Sequence, residues 1–351
     1  MKLAILAAGF SPIPPPKQGG TEWIAYHQAK GLAQKGHQVI LFAGKGSKEN
    51  FQGTRVNVIE LDLREPFQEP DLRFSESSRK LRLEMIVLAL VSQGLLDYKD
   101  EFDLILNNMR GEAVFLPTAK LISKPFVNVM HLNFFPELAN LFNKYKTPII
   151  TISNSQRNEF PGLNYLSTVY NGVDTEQFSF NKTPSDYLLM VGSIGRHKNQ
   201  GAAIRVAKKL GMKLVLAGKI RDQDYFEELK KDIDGQQIIY FGEVGFDEKL
   251  KLYREAKAFL FPILWEEPFG LVMIEAMSCG TPVIAFRNGA TSEVVVDGKS
   301  GFVVADEQMM IEAIGKIDGI SRADCRKRVE ENFTIEKMVN DYEKALLRIT
   351  V

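Results

Sequence analysis

Short runs of consecutive apolar residues recur along this chain, and most are followed by a longer stretch whose apolar positions return with helical spacing. The first pattern marks a strand buried on both faces of a parallel sheet; the second marks a helix lying on that sheet. Residues 2–10 form the first such run. The loop 11–20 follows, rigid at its front through Pro12, Pro14, Pro15 and Pro16, and permissive at its back through Gly19 and Gly20. Residues 21–35 then predict a helix with Trp23, Ala25, Tyr26, Ala29, Leu32 and Ala33 on one broad apolar face. Gly36 closes it, and 38–43 predict the next strand. A βαβ unit is complete within these residues.

The alternation continues. Strands are expected at 55–61, 103–107, 126–130, 148–152 and 167–170, with helices at 79–96 and 113–122. Residues 171–186 lose the period and are rich in turn formers, as a connection between domains would be. The pattern restarts with strands at 187–191, 213–217, 238–241, 258–262, 282–286 and 302–304, and a helix at 199–210. Beyond Asp306 the chain reads as helical, ending in an amphipathic stretch at 335–349. The expected fold class is α/β, with two doubly wound, Rossmann-like domains facing across a cleft. The expected division is 1–173 and 187–333 for the two domains, 174–186 for the linker, and 334–351 for a terminal helix crossing back to the first domain. Ligands of such sheets bind beyond the carboxyl ends of the strands.

Composition narrows the classes. The chain of 351 residues has 45% hydrophobic and 25% charged residues, which suits ordinary globular domains. Lys+Arg and Asp+Glu are both 44, so the balance proposes no nucleic-acid partner. Two cysteines, Cys279 and Cys325, are too few for a disulfide framework and point to a reducing compartment. The apolar start meets Gly9 and Pro12 without a convincing cleavage site, so a buried first strand is expected. The run 85–91 is far short of the roughly 20 apolar residues of a membrane span. Asn181-Lys-Thr183 and Asn332-Phe-Thr334 match the glycosylation sequon and read as chance matches. A soluble cytoplasmic protein is expected.

Four stretches could carry chemistry. Ala43-Gly-Lys-Gly-Ser47 lacks the phosphate-loop pattern and reads as a surface turn, and no Gly-x-Gly-x-x-Gly follows the first strand. Gly19-Gly20 stands where the first strand meets its helix, where backbone N–H groups can approach a phosphate or sugar; a bare turn accounts for the pair equally well. Residues 191–199 are the second-half counterpart, and they bring Arg196 and Lys198 to a helix start. Cations oppose the dipole there unless an anion lies between them, although both could simply extend into solvent. Finally, 258–286 reads as strand, acidic loop, helix, strand. Glu267 and Glu275 lie on either side of that helix start, whose free N–H groups favour a phosphate while the acids suit sugar hydroxyls.

The last stretch, Glu267-Pro-Phe-Gly-Leu-Val-Met-Ile-Glu275-Ala-Met-Ser-Cys-Gly-Thr-Pro-Val-Ile-Ala285, resembles the Glu-x7-Glu signature of the retaining family-4 glycosyltransferases of the GT-B fold. Companion pieces fall in that family's order. They are Gly19-Gly-Thr-Glu22, Gly36-His-Gln-Val39, Asn171-Gly-Val-Asp174 with Phe178, Leu216-Ala-Gly218, Phe241-Gly242, Asn288-Gly-Ala-Thr-Ser-Glu293, and Asp297-Gly298. The resemblance implies a nucleotide diphosphate sugar (UDP- or GDP-linked) as donor, and no metal or other cofactor. Glu275 would accept from the ribose hydroxyls and Glu267 from the transferred sugar. The N–H groups around Phe269, Gly270 and Leu271 would meet the distal phosphate, with Lys198 on the pyrophosphate. Gly19 and Gly20 would lie on the donor as well. Val244 falls where backbone groups meet the base, and His131 matches a histidine near the reacting sugar; by itself it reads as a strand-end histidine. The family usually carries Arg where this chain has Ser193, and Arg196 is the candidate to replace it.

The chemistry builds positive charge on the anomeric carbon and negative charge on the departing diphosphate, which fixed N–H groups and Lys198 would stabilise. Retention of configuration by front-face attack is expected. The alternatives are a sugar-nucleotide epimerase or phosphorylase of the same architecture, and a non-catalytic subunit that binds nucleotide sugar. The acceptor is open; loops 14–20 and 131–136 and Arg110 are where it is expected.

Overall fold

The computed structural model describes residues 1–7, 9, 11–15, 19–61 and 77–349. The chain divides into two compact units. The first comprises Met1–Ile152, Arg157–Val169 and the residues from Met338 on; the second comprises Ser153–Gln156 and Tyr170–Lys337.

The first unit is a parallel sheet with helices between its strands. In chain order these are β1 (Lys2–Leu6), α1 (Gly20–Gln34), β2 (Gln38–Gly44), β3 (Val56–Leu61), α2 (Ser77–Asp97), β4 (Leu104–Asn107), α3 (Glu112–Leu121), β5 (Phe126–Met130), α4 (Pro136–Tyr145), β6 (Ile149–Thr151) and β7 (Tyr165–Thr168). The spatial order is β3-β2-β1-β4-β5-β6-β7. Leu3 of β1 faces Val39 on one side and Leu104 on the other. Strands buried on both faces explain why each reads as an unbroken apolar run. Phe42, Phe102, Phe115 and Phe142 are fully enclosed in the core. Burial of each contributes about 2–3 kcal/mol. The loop residues 16–18, among those expected near the acceptor, lie outside the described residues. Helix α4 was not among the expected elements; its signal is Pro136 in the first turn, where a missing N–H costs nothing.

The second unit repeats the plan with β8 (Tyr187–Val191), α5 (Gln200–Leu210), β9 (Lys213–Ala217), α6 (Gln223–Lys230), β10 (Ile238–Tyr240), α7 (Phe246–Glu255), β11 (Ala258–Phe261), α8 (Leu271–Ser278), β12 (Val283–Phe286), α9 (Thr291–Val294), β13 (Gly301–Val304), α10 (Glu307–Gly315) and α11 (Arg322–Asn332). The spatial order is β10-β9-β8-β11-β12-β13, again all parallel. In each sheet the order reverses beside the first strand, at β1/β4 and at β8/β11. Connections leave these two neighbours in opposite directions, and a crevice opens at their carboxyl ends. The last helix, α12 (Ile335–Leu347), begins among the residues of the second unit and continues into those of the first. There Gly31 of α1 lies so close to Val339 that a Cβ would come within 2.5 Å of its Cγ2. Glu343 accepts from Lys35 and His37, both at 2.8 Å.

Residues 174–186 pack as part of the second unit rather than standing free as a connection. Buried Arg322 holds them: Nε donates to Asn181 O at 2.7 Å, Nη1 to Ala256 O at 2.9 Å, and Nη2 to Arg254 O and Thr281 Oγ1 at 2.8 Å. Arg326 adds bonds to the carbonyls of Thr175, Phe178 and Ser278. Replacing Arg322 by Ala strands several buried acceptors, and each costs of the order of 1 kcal/mol or more. Arg322→Ala is therefore expected to destabilise the second unit by about 3 kcal/mol. The check is urea unfolding followed by Trp265 fluorescence in a Trp23→Phe background, since the chain has two tryptophans.

Candidate active site

The crevice of the second unit is walled by the loop from β8 to α5 and the loop from β11 to α8. The first starts at Gly192 (φ 158°), and Gly218 (φ 147°) packs against it backbone to backbone. A Cβ on Gly218 would lie 2.0 Å from Gly192 O, so glycine is obligatory there. The loop then makes one 3₁₀ turn over Arg196–Lys198 and enters α5 through Asn199, which adopts the left-handed conformation. Two bonds tie it to the second loop: Asn199 Nδ2 donates to Pro262 O at 3.0 Å, and Leu264 N to His197 O at 2.9 Å. These place Lys198 opposite Glu267.

Lys198 Nζ donates to Glu267 Oε2 at 2.9 Å, and Trp265 Nε1 donates to the same oxygen at 3.0 Å. Lys198 Nζ also stands 5.2 Å from the Trp265 ring centre. Behind the carboxylate the main chain is clamped. Ala290 N donates to Glu267 O at 2.9 Å, Gly289 N to Glu266 Oε2 at 2.6 Å, and a Cβ on Gly289 would meet Glu267 O at 2.2 Å. A buried ion pair of this kind adds little net stability, because desolvation offsets the attraction. What it does is fix two opposite charges at the mouth of the crevice.

Helix α8 starts directly beside the pair. Its N-cap, Gly270, has φ 86°, and no side chain caps the first turn. Phe269 is buried and anchors this turn against Tyr170 and Phe333. Leu271 opens the helix, and Glu275 follows one turn in. Both Glu275 oxygens accept from Lys249 Nζ at 3.0 Å, and Oε2 accepts from Tyr253 Oη at 2.9 Å. Val244, in the loop from β10 to α7, is buried. The structure thus brings Lys198, Glu267, Phe269, Gly270, Leu271 and Glu275 together on two loops and one helix start. Ser193 sits on the same β8 loop, half-buried, with its carbonyl accepting from Gln200 Nε2 at 3.0 Å.

Arg196 points elsewhere. Its guanidinium is bonded to Glu228, stands 3.8 Å from Asp222, and lies over the Tyr225 ring. The structure does not bring it to the Lys198–Glu267 pair. The side chains Trp265, Lys249 and Tyr253 were missed in the sequence. Lys249 and Tyr253 stand four apart on α7, which puts them on one face, but that spacing alone does not show what they face.

The remaining expected site residues belong to the first unit. Gly19 caps α1 and Gly20 begins it, and a Cβ on Gly19 would strike Pro15 and Glu22. His131 follows β5. Asn108 Nδ2 donates to Gln28 Oε1 at 2.8 Å, which turns Asn108 Oδ1 toward His131 Nε2 at 2.9 Å. With the Asn108 amide in this orientation, His131 carries its hydrogen on Nε2 and presents a lone pair on Nδ1. Burial pushes its imidazole down to about 4. Among the described residues no group of three or more His, Cys, Asp or Glu is placed to hold a metal ion, and no helix is long and apolar enough to cross a membrane.

Comparison with known proteins covers nearly the whole length. The family model described as Glycosyltransferase Family 4 matches residues 18–177, and the model Glycosyl transferases group 1 matches residues 173–332. An uncharacterized glycosyltransferase of Methanocaldococcus jannaschii is 28% identical over 181 residues, 44% of this chain and 46% of the relative. A glycogen synthase of Mycobacterium tuberculosis is 30% identical over 168 residues, 44% of this chain and 40% of the relative. The chain thus spans less than half the length of these relatives. Among solved structures, Anabaena HepE in complex with UDP and glucose superposes with a TM-score of 0.76 at 20% identity, covering 99% of this chain and all of that one. Sucrose-phosphate synthase of Thermosynechococcus elongatus gives 0.74 at 16%, covering 99% of each. At such identities the likeness establishes the fold, two Rossmann-like domains of the GT-B type.

One pH effect follows from His131. Its folded value of about 4 lies below the ordinary 6.5, so between these values the unfolded chain binds a proton that the native one does not. Stability is therefore lost as pH falls from 6.5 toward 4, by up to about 3 kcal/mol at roughly 1.4 kcal/mol per unit. Nitrogen-15 NMR should find His131 neutral at pH 6 with its hydrogen on Nε2, and His131→Gln should flatten that part of the stability profile.

Proposed function

The chain belongs to the group 1, family-4 glycosyltransferases, and from that premise we propose that it transfers a hexosyl group from a UDP- or GDP-sugar to an acceptor with retention of configuration. The observation that carries this reading is the Lys198–Glu267 pair at the β8/β11 reversal, beside the uncapped start of α8. A donor gives each charge its partner. The diphosphate takes Lys198 and the first-turn N–H groups; the sugar hydroxyls take Glu267; the ribose takes Glu275. Binding exchanges an internal ion pair for two charge-assisted contacts, so neither group is left buried alone. The neighbour HepE holds UDP and glucose, and a starch synthase IV structure of the same fold holds ADP, which supports a nucleotide-linked donor.

In the proposed reaction the bond from the anomeric carbon to the phosphate oxygen lengthens, and negative charge grows on the diphosphate, the group assigned to Lys198 and the start of α8. The first-turn N–H groups of α8 are fixed by the helix and stabilise the leaving group without reorienting, and Lys198 joins them once donor binding has exchanged its bond to Glu267. The acceptor hydroxyl attacks on the face the phosphate leaves, and its proton passes to the departing phosphate oxygen. His131 of the first unit, neutral with Nδ1 open, is suited to accept a hydrogen bond from a hydroxyl. Arg196, bonded to Glu228, takes no part in this scheme, so Lys198 is the cation assigned to the leaving group. Metal-independent action, work in a reducing compartment with Cys279 and Cys325 as buried free thiols, and an acceptor engaged by the first unit belong to the same reading.

Three measurements test it. Glu267→Ala should abolish sugar transfer while leaving nucleotide binding nearly intact; a variant as active as the wild type overturns the role. Lys198→Ala should weaken UDP or GDP binding by about 2 kcal/mol, typical of a charged hydrogen bond, as read by calorimetry. Product analysis by NMR decides the class: an altered donor without acceptor means an epimerase, and an inverted product or a trapped glycosyl-enzyme adduct excludes front-face retention.

A further inference from the structure

We infer that Lys249 is a positioning residue for nucleotide recognition: by holding both oxygens of Glu275 it lets the site distinguish a ribonucleotide from its deoxy counterparts. The inference rests on the donor reading above, in which Glu275 meets the ribose.

The geometry is specific. Lys249 and Tyr253 lie one turn apart on α7, so they share a face, and both converge on the same carboxylate. Lys249 Nζ is equidistant from the two oxygens at 3.0 Å, and Tyr253 Oη adds a bond to Oε2 alone. A carboxylate has about four acceptor sites, so roughly three are occupied and the open one is on Oε1. A hydroxyl brought to this carboxylate therefore meets one defined oxygen in one orientation. The Glu275 side chain is 14% exposed and that of Lys249 23%, so bulk salt screens the pair little. Tyr253 is fully buried, and burial together with Glu275 holds its hydroxyl well above the ordinary range, so it remains a donor.

The arrangement repeats the one at Glu267, where Lys198 and the Trp265 N–H play the same two parts. Each glutamate is gripped by one ammonium and one aromatic N–H or O–H. Without Lys249, Glu275 would keep only Tyr253 and regain side-chain torsions that must be frozen again on binding. The loss should fall on the hydroxyl contact rather than on the diphosphate, whose partners lie on the β8 loop and the start of α8.

The experiment is calorimetric binding of UDP, GDP, ADP and CDP to the full chain, then of the best binder's 2′- and 3′-deoxy analogues. Wild type should disfavour at least one deoxy analogue by about tenfold or more, the worth of one charge-assisted hydrogen bond. Lys249→Met, which keeps the apolar stem, should reduce that ratio below about threefold, and Lys249→Arg should restore most of it. A Lys249→Met protein that binds every nucleotide more weakly by one common factor, with the ratio intact, overturns the inference and leaves the donor reading standing. Wild type that binds no nucleoside diphosphate, or ignores the ribose hydroxyls, overturns the assignment of Glu275 as well.

Discussion

A carboxylate enclosed in protein must find a cation and donors, and the second unit meets that demand twice, at positions eight residues apart. Glu267 and Glu275 flank the start of α8, and each is held by a lysine from a different element. The lysines come from the β8 loop and from α7, so the two grips pull three segments into one geometry. Everything else in the crevice is arranged around keeping those segments in place. Gly218 and Gly289 permit the close backbone approaches, and Asn199 locks one loop onto the other. The pairs contribute little to net stability, but they define which groups are charged and where they point.

The strand order supplies the space. Because the sheet of the second unit reverses at β8/β11, the chain leaves these neighbours on opposite sides and the loops diverge above them. A helix start then projects into the gap with its first-turn N–H groups free of side-chain caps. An anion lodged there would complete a set of charges that protein groups alone leave paired internally. In the proposed function the internal ion pair is therefore a place for a ligand rather than a strut.

The first unit uses the same switch-point geometry for a neutral centre. Asn108 and Gln28, on β4's end and on α1, orient His131 at the end of β5 through two hydrogen bonds. Burial keeps the ring uncharged near neutral pH. The second unit thus gathers ionic groups at its switch point, and the first holds an uncharged histidine.

How much was legible in the sequence follows from the range of each interaction. Strands and helices were readable because burial on two faces or one imprints a period on neighbouring residues; β1, β8 and β11 were visible as bare apolar runs. Glu267, Glu275 and Lys198 were readable because they stand at fixed offsets from Gly, Pro and strand ends. The partners of those side chains were not readable. Lys249 lies 26 positions from Glu275, and Gln28 lies 80 from Asn108. No local pattern records such a pairing. Arg196 shows the same limit from the other side. Two positions from Lys198 in sequence, it turns to Glu228 on α6, because a long flexible side chain takes whichever carboxylate the packing of a neighbouring helix presents. The sequence by itself determined the layers, the positions of the loops and the kinds of groups they carry. Only the tertiary structure decided which of those groups face each other, since that depends on rotamers and helix placements set by contacts distant along the chain.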